Sequence, residues 1–228
     1  MTSFKNDAEL FALMKKELFT AVVGDIMDTM GLIHQFLPAQ IRPVKDDIVL
    51  TGRAMTVLEA DCASVTVSRG GKKEPFGLMF EALDDLKEGE IYICTGGSPT
   101  YAHWGELMST RAIHLKAAGA VVDGYLRDTK GILKLGFPAF SWGPYAQDQG
   151  ARGRVIDYRC PLEFPNHVRV EPGDLIFGDI DGVVAVPAKH EKEIIEKALE
   201  KVRGENEVAR AIRAGMSTVD AFAKFGIM

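Results

Sequence analysis

The sequence predicts an α/β fold, with a strand-rich middle containing a strand, helix, strand unit and helices at both ends. Three observations carry this expectation. Near the start, Leu10, Met14 and Leu18 recur at helical spacing. From Ile48 the period shifts toward two in IVLTGRAMTVLEADCASVTVS (48–68). Helical spacing returns in AKHEKEIIEKALEKVRGENEVARAIRAG (188–215).

Taken in order, the first helix is followed by TAVVGDIMDTMG (20–31), a second helix closed by Gly31. Strands are expected at EIYICTGG (90–97), AGAVVDG (118–124), FPAFSWG (137–143), RVIDY (154–158) and DLIFGDIDGVVAVP (174–187), several of them preceded by turn residues. Between the first two lies HWGELMSTRAIHLKAAGA (103–120), where Leu107, Met108, Ala112, Leu115 and Ala118 mark one side of a helix ending at Gly119. The long C-terminal helix turns Ile194, Ile195, Ala198 and Val202 inward and is expected to break near Gly204, before a short helix opened by Ser217. The chain therefore reads as one domain: a helical cap (1–35), a strand-rich core (48–188) and C-terminal helices (189–228).

Composition narrows the function. Of 228 residues, 46% are hydrophobic and 26% charged, enough apolar surface for a core and too much for a disordered chain. The net charge of -5 is spread along the sequence, without the basic footprint that nucleic acid selects. Three cysteines, Cys62, Cys94 and Cys160, show no CxxC or Cys/His spacing, so a reducing cytoplasm is expected rather than a disulfide framework. The N-terminus lacks the apolar run of a signal peptide, and no window is apolar enough to span a membrane.

The informative stretch is GAVVDGYLRDTKGI (119–132), a buried-strand pattern that ends at Asp123-Gly124 and then presents Arg127 beside Asp128. Strand ends that meet helix N-termini gather ligands, because free backbone N–H groups and the positive end of the helix dipole lie there. The loop GGSPTYAHWG (96–105) leads from Gly105 into the helix, so the amides of Leu107 and Met108 can receive a carboxylate that the Arg127 fork also fits. Asp128 would repel that anion and makes better sense as a ligand for a hard cation such as Mg²⁺, with Glu106 as a second oxygen donor, direct or through water. The same residues also fit a surface ion pair and a carboxylate placed against a helix dipole. His103 reads as a general base or as a packing residue, and SRGGKKEP (68–75) as an anion-touching loop or a solvated turn. GDIDGVVAVP (178–187) lacks the remaining ligands of a calcium loop and reads as a hairpin.

In this order, TGRAMTV (51–57), WGELMSTRA (104–112), GAVVDGYLRD (119–128) and GDIDGVVAVP resemble the family of the regulator of ribonuclease activity A and the class II 4-hydroxy-4-methyl-2-oxoglutarate/4-carboxy-4-hydroxy-2-oxoadipate aldolases. The resemblance runs from GDIMDTMG (24–31) to the last helices, and its most specific element is an acid, twenty intervening residues, then Arg-Asp, matched by Glu106 and Arg127-Asp128. It implies a swivelling β/β/α domain assembled as a homotrimer or hexamer with active sites at subunit clefts. It implies Mg²⁺ or Mn²⁺ bound by Asp128, with Glu106 orienting bound water, and a pyruvoyl group gripped by Arg127 and the Leu107 and Met108 amides. It further implies a glutamate from a neighbouring subunit that approaches the metal waters, for which Glu205 in RGENEVAR (203–210) is the nearest match and Glu207 the next. Two departures stand out: Glu106 replaces the aspartate of several aldolases, and KEPFGLMFEAL (73–83) lacks the family's usual GDN and hence its substrate-contacting asparagine.

The function expected on this basis is a divalent-metal-dependent lyase acting on pyruvoyl-containing oxo-acids through a metal-stabilised pyruvate enolate, by retro-aldol cleavage of 4-hydroxy-2-oxo acids, oxaloacetate decarboxylation or both. Metal-activated water held by Glu106 would serve as base, and Arg127 would stabilise the enolate oxygen. The rival is a non-catalytic ring that binds a ribonuclease or another protein. A methyltransferase reading finds no glycine-rich cofactor loop in the sequence.

Overall fold

The computed structural model describes residues 4–62 and 75–226. The elements in chain order are α1 (Asp7–Glu17), α2 (Thr20–Thr29), β1 (Arg42–Pro43), β2 (Leu50–Asp61), α3 (Met79–Asp84), β3 (Glu90–Thr95), β4 (Ala102–Trp104), α4 (Glu106–His114), β5 (Gly119–Val122) and β6 (Tyr125–Leu126). They continue with α5 (Thr129–Leu135), β7 (Ala139–Ser141), β8 (Gly153–Tyr158), β9 (Leu162–Glu163), β10 (Arg169–Val170), β11 (Leu175–Asp179), β12 (Gly182–Val186), α6 (Glu191–Arg213) and α7 (Thr218–Phe225).

One sheet runs in the order β1-β7-β5-β3-β2-β11-β12, with β8 also paired to β2. β2, β3, β5 and β7 are mutually parallel, as strand, helix, strand connections require, whereas β11 and β12 form the antiparallel hairpin read from GDIDGVVAVP. The sheet curls until its ends nearly meet. Arg42 in β1 donates to the Asp181 carbonyl at the β11–β12 turn (3.0 Å), and the Leu37 amide just before β1 donates to Val183 of β12 (2.9 Å).

Successive side chains point to opposite faces of the sheet, and this sorts the apolar residues into three clusters. Ala54, Ile91, Ile93, Val121 and Ile176 point into the curled sheet. Met55, Val57, Tyr92, Cys94, Ala120 and Val122 face outward under α3, α4 and α5. Leu175, Phe177, Val184 and Val186 face outward under α1, α2 and α6. A strand buried on both faces has a continuous apolar sequence, which is why GAVV and EIYIC carry no polar alternation. The result is the mixed α/β architecture with helices at both ends.

Three expectations need correction. α4 stops at His114 rather than at Gly119: Lys116 adopts a left-handed φ of 60°, and the Ala117 amide reaches back to the Ala112 carbonyl (3.0 Å). That is a helix stop which usually uses glycine. Gly119 instead lies in β5, where a side chain would press on Leu50 and the Pro138 carbonyl. Leu107, grouped with Ala112 on one apolar side of that helix, is 83% exposed, because it occupies the first turn of α4 and faces away from the sheet that buries Ala112. α6 passes through Gly204 unbroken, since the stripe of Ile194, Ile195, Ala198, Leu199, Val202 and Val208 continues across it. One glycine costs a helix only about 1 kcal/mol, less than that packing returns. SRGGKKEP falls outside the described residues except for Pro75.

Candidate active site

Parallel pairing of β4 with β6 builds the site. The Arg127 amide donates to the Trp104 carbonyl (2.9 Å), so the residues that follow each short strand, Gly105-Glu106 and Arg127-Asp128, emerge side by side. Both pairs lie beyond the carboxyl ends of β3 and β5, the edge from which a helix N-terminus points at a ligand. The buried Trp104 fixes β4 by stacking on Phe137 and by donating its Nε1–H to Ser109 Oγ (2.8 Å).

Gly105 is the N-cap of α4 and has no side chain to satisfy the first amides of the helix. The amides of Leu107 and Met108 therefore remain available. A Cβ at position 105 would stand 3.0 Å from Asp128 Oδ2, so the Asp128 carboxylate lies close over the start of α4. Asp128 holds a left-handed backbone (φ 56°, ψ 31°) at the start of α5 without using its carboxylate as a cap. For a residue other than glycine that conformation carries strain, a feature that clusters at functional positions.

Asp128 thus reaches toward the start of α4, and Glu106 reaches the other way. A methyl group built on Gly131, in the first turn of α5, would overlap Glu106 Cδ and Oε2. The two carboxylates cross at the junction of the two helices. Arg127 stands beside them, its Nε 3.8 Å from Asp128 Oδ2 and its Nη1 2.8 Å from Asp148 Oδ1.

Arg127, Asp128 and Asp148 open on a cavity of about 240 Å³. Arg127, Asp128 and Asp148 supply its charge, and Phe76, Met79, Phe80, Leu107 and Met108 its apolar wall. Glu106 does not line it, lying instead against α5. Glu205 is across the sheet: it sits on α6, 3.7 Å from Lys201, and that helix packs with α2. Within a single chain it stays apart from Asp128. Asp148 was missed by the sequence reading, since AQDQG (146–150) has no motif and only the fold brings it to Arg127.

Among the described residues no three His, Cys, Asp or Glu side chains gather as a metal cluster. Mg²⁺, however, keeps several waters and commonly takes only one or two carboxylates. Asp128, free of any capping bond, and Glu106, lodged at the same helix junction, fit that kind of site.

Behind the cavity lies a buried polar cluster. A bulge in β2 between Leu58 and Glu59 turns the Glu59 carboxylate inward, where Oε2 meets His103 Nδ1 at 2.5 Å and accepts from Gln149 Nε2 at 2.9 Å. His103 and Glu59 are each about 2% exposed, and His103 Nε2 has no partner among the described residues. Burial alone lowers the basicity of His103, but the Glu59 carboxylate outweighs it and holds the imidazole above its ordinary range. Burial likewise raises Asp123, whose Oδ2 accepts from Thr95 Oγ1 (2.6 Å). His103 is thus a buried, paired histidine, as its packing reading expected.

Comparison with known proteins places the chain in a family. Residues 20–185 match the RraA-like family, Aldolase/RraA. The chain is 29% identical over 204 residues to a Halalkalibacterium halodurans protein named "Putative 4-hydroxy-4-methyl-2-oxoglutarate aldolase", covering 89% of each. It is 27% identical over 203 residues to Protein DlpA of Legionella pneumophila, covering 89% of this chain but only 31% of DlpA, so it spans about a third of that relative's length. The structure of Streptomyces coelicolor RraAS2, described as an unusual member of the RNase ES inhibitor RraA protein family, superposes with a TM-score of 0.76 at 22% identity, over 92% of this chain and 99% of that one. No helix among the described residues is long and apolar enough to cross a membrane. With its curled sheet, its terminal helices and this match, the chain belongs to the RraA-like (Aldolase/RraA) family.

Proposed function

We propose that the protein is a divalent-metal-dependent carbon–carbon lyase of pyruvoyl-containing oxo-acids, performing retro-aldol cleavage of 4-hydroxy-2-oxo acids, decarboxylation of oxaloacetate, or both. One observation carries the reading: Arg127, Asp128 and the uncapped start of α4 meet at a single apolar-walled cavity. The name borne by the Halalkalibacterium halodurans relative supports it.

In this proposal the substrate carboxylate is received by Arg127 and the amides of Leu107 and Met108, charge-assisted contacts that fix the keto group's direction. Mg²⁺ or Mn²⁺ held by Asp128, with Glu106 reaching it through water, would supply Lewis acidity toward the keto oxygen. Arg127 would stabilise the negative charge that accumulates on that oxygen as the carbon–carbon bond breaks. Glu106 would hold the water that takes the proton of the distal hydroxyl in aldol cleavage. Decarboxylation needs no such base, only a later proton on the enolate carbon. Phe76, Met79 and Phe80 line the cavity and would shield that carbon once the site is closed.

The wall is incomplete in one chain. Phe80 is 55% and Leu107 83% exposed at the cavity rim. That exposure supports a homotrimer or hexamer whose neighbouring copy closes the site and brings Glu205 toward the metal waters.

The test is oxaloacetate decarboxylation and a panel of 4-hydroxy-2-oxo acids, each measured with Mg²⁺, with Mn²⁺ and after EDTA. Turnover that EDTA abolishes, that metal restores and that Asp128→Ala loses is the expected result. Absence of turnover with every divalent ion would instead favour the non-catalytic regulator known in this family.

A further inference from the structure

The Arg127 guanidinium has a second tether besides its own strand, Asp148, and the segment bearing Asp148 is itself tied to the buried cluster behind the cavity. Five contacts make the chain of support. Glu59 Oε2 binds His103 of β4 and Gln149 at once. The Ala102 amide of β4 donates to the Gln147 carbonyl (2.8 Å). Asp148, between those two glutamines, pairs with Arg127 through Oδ1 while its Oδ2 accepts from the Gly150 amide (2.9 Å).

The cluster has little freedom to rearrange. The His103 ring is pressed between Gly97 and Gly124, where a Cβ on Gly124 would come within 2.6 Å of Nε2. A buried carboxylate that serves two donors from different segments is costly to expose or leave unpaired, so it holds both segments to one geometry. Tyr92 and Cys94 of β3, Tyr101, and Asp123 beyond β5 also face this cluster, and burial keeps both Tyr92 and Cys94 protonated. Asp61, near His103, is held ionised chiefly by the Ser98 amide.

We propose that Glu59, His103 and Gln149 form a buried positioning unit that sets Asp148, and through it the Arg127 guanidinium, at the mouth of the cavity. Gln149 is the link to cut, because its removal leaves the Glu59–His103 pair in place. The assignment deepens the lyase reading and rests on it for its kinetic consequence, but the placement of Arg127 can be read without turnover.

The experiment is a double-mutant cycle with a spectroscopic arm. Gln149→Ala is expected to lower kcat/KM for oxaloacetate about tenfold in the otherwise unchanged protein, and by less than about twofold when Arg127 is already alanine, as for residues acting through one group. Equal losses in both backgrounds, or no loss in the first, would overturn the proposal. In ¹⁵N-labelled protein, the Arg127 Nε–H resonance, identified by its disappearance in Arg127→Lys, is expected to shift in Gln149→Ala and to stay in place in Lys197→Ala, a change on α6 across the sheet. An unmoved resonance in Gln149→Ala refutes the positioning role even if turnover falls. A moved resonance in a protein that turns over no oxo-acid upholds the positioning role and refutes only the lyase reading.

Discussion

Gly131→Ala separates the stability of the site from its chemistry. Gly131 lies in α5 with ordinary helical backbone, so alanine fits the chain, and an interior helical glycine replaced by alanine gains up to about 1 kcal/mol. The new methyl group, however, occupies the space of the Glu106 carboxylate. That carboxylate ends a flexible side chain and can be displaced at the cost of an off-rotamer arrangement, about 0.5–1.5 kcal/mol. The two effects nearly cancel, and with about 2–4 °C of Tm per kcal/mol in a domain of this size, Tm should stay within about 4 °C. Turnover should not stay. If Glu106 orients water at the metal, its displacement should lower kcat/KM about 10- to 100-fold, the usual cost of disturbing a group just outside the coordination sphere. Calorimetry and the oxaloacetate assay measure the two quantities separately, and adding the change to Glu106→Gln should cost little more. Wild-type kcat/KM in Gly131→Ala would refute a role for Glu106 at this position, and a Tm loss above about 10 °C would show that the clash is absorbed by the backbone instead.

Asp128→Gly should abolish metal-dependent turnover while raising Tm relative to Asp128→Ala, because glycine accepts the left-handed φ of 56° at no cost and alanine is strained there by about 1–2 kcal/mol; equal melting temperatures would contradict the strain argument. His103 predicts a pH dependence of stability: its folded pKa lies above the unfolded value near 6.5, so its contribution is fully present below about pH 6.5 and is lost as pH rises through the folded value. Denaturant unfolding between pH 6 and 9 should show that decline in the wild type and not in His103→Gln, whereas stability rising over the same range in the wild type alone would reverse the sign. Asp123, raised chiefly by burial, contributes stability that is present below about 3.8 and is lost as pH rises through its folded value.

The sequence by itself determined the element types and the local half of the site. Period-two and helical spacing are properties of consecutive residues, so the twice-buried strands, the terminal helices and the β11–β12 hairpin were legible, as was the Glu106, Arg127-Asp128 spacing. Where local signals competed with packing they misled: Lys116 ends α4 where a glycine was expected, Gly119 serves strand packing, and Gly204 is carried by its helix. Only the tertiary structure decided the partners. Parallel pairing of β4 and β6 crosses the Glu106 and Asp128 side chains over each other's helix, a β2 bulge sends Glu59 to His103 across 44 residues, and the 146–150 segment delivers Asp148 to Arg127. Such contacts depend on strand order and on where a bulge turns a side chain, and these are set by the burial of the whole sheet rather than by any stretch of the chain.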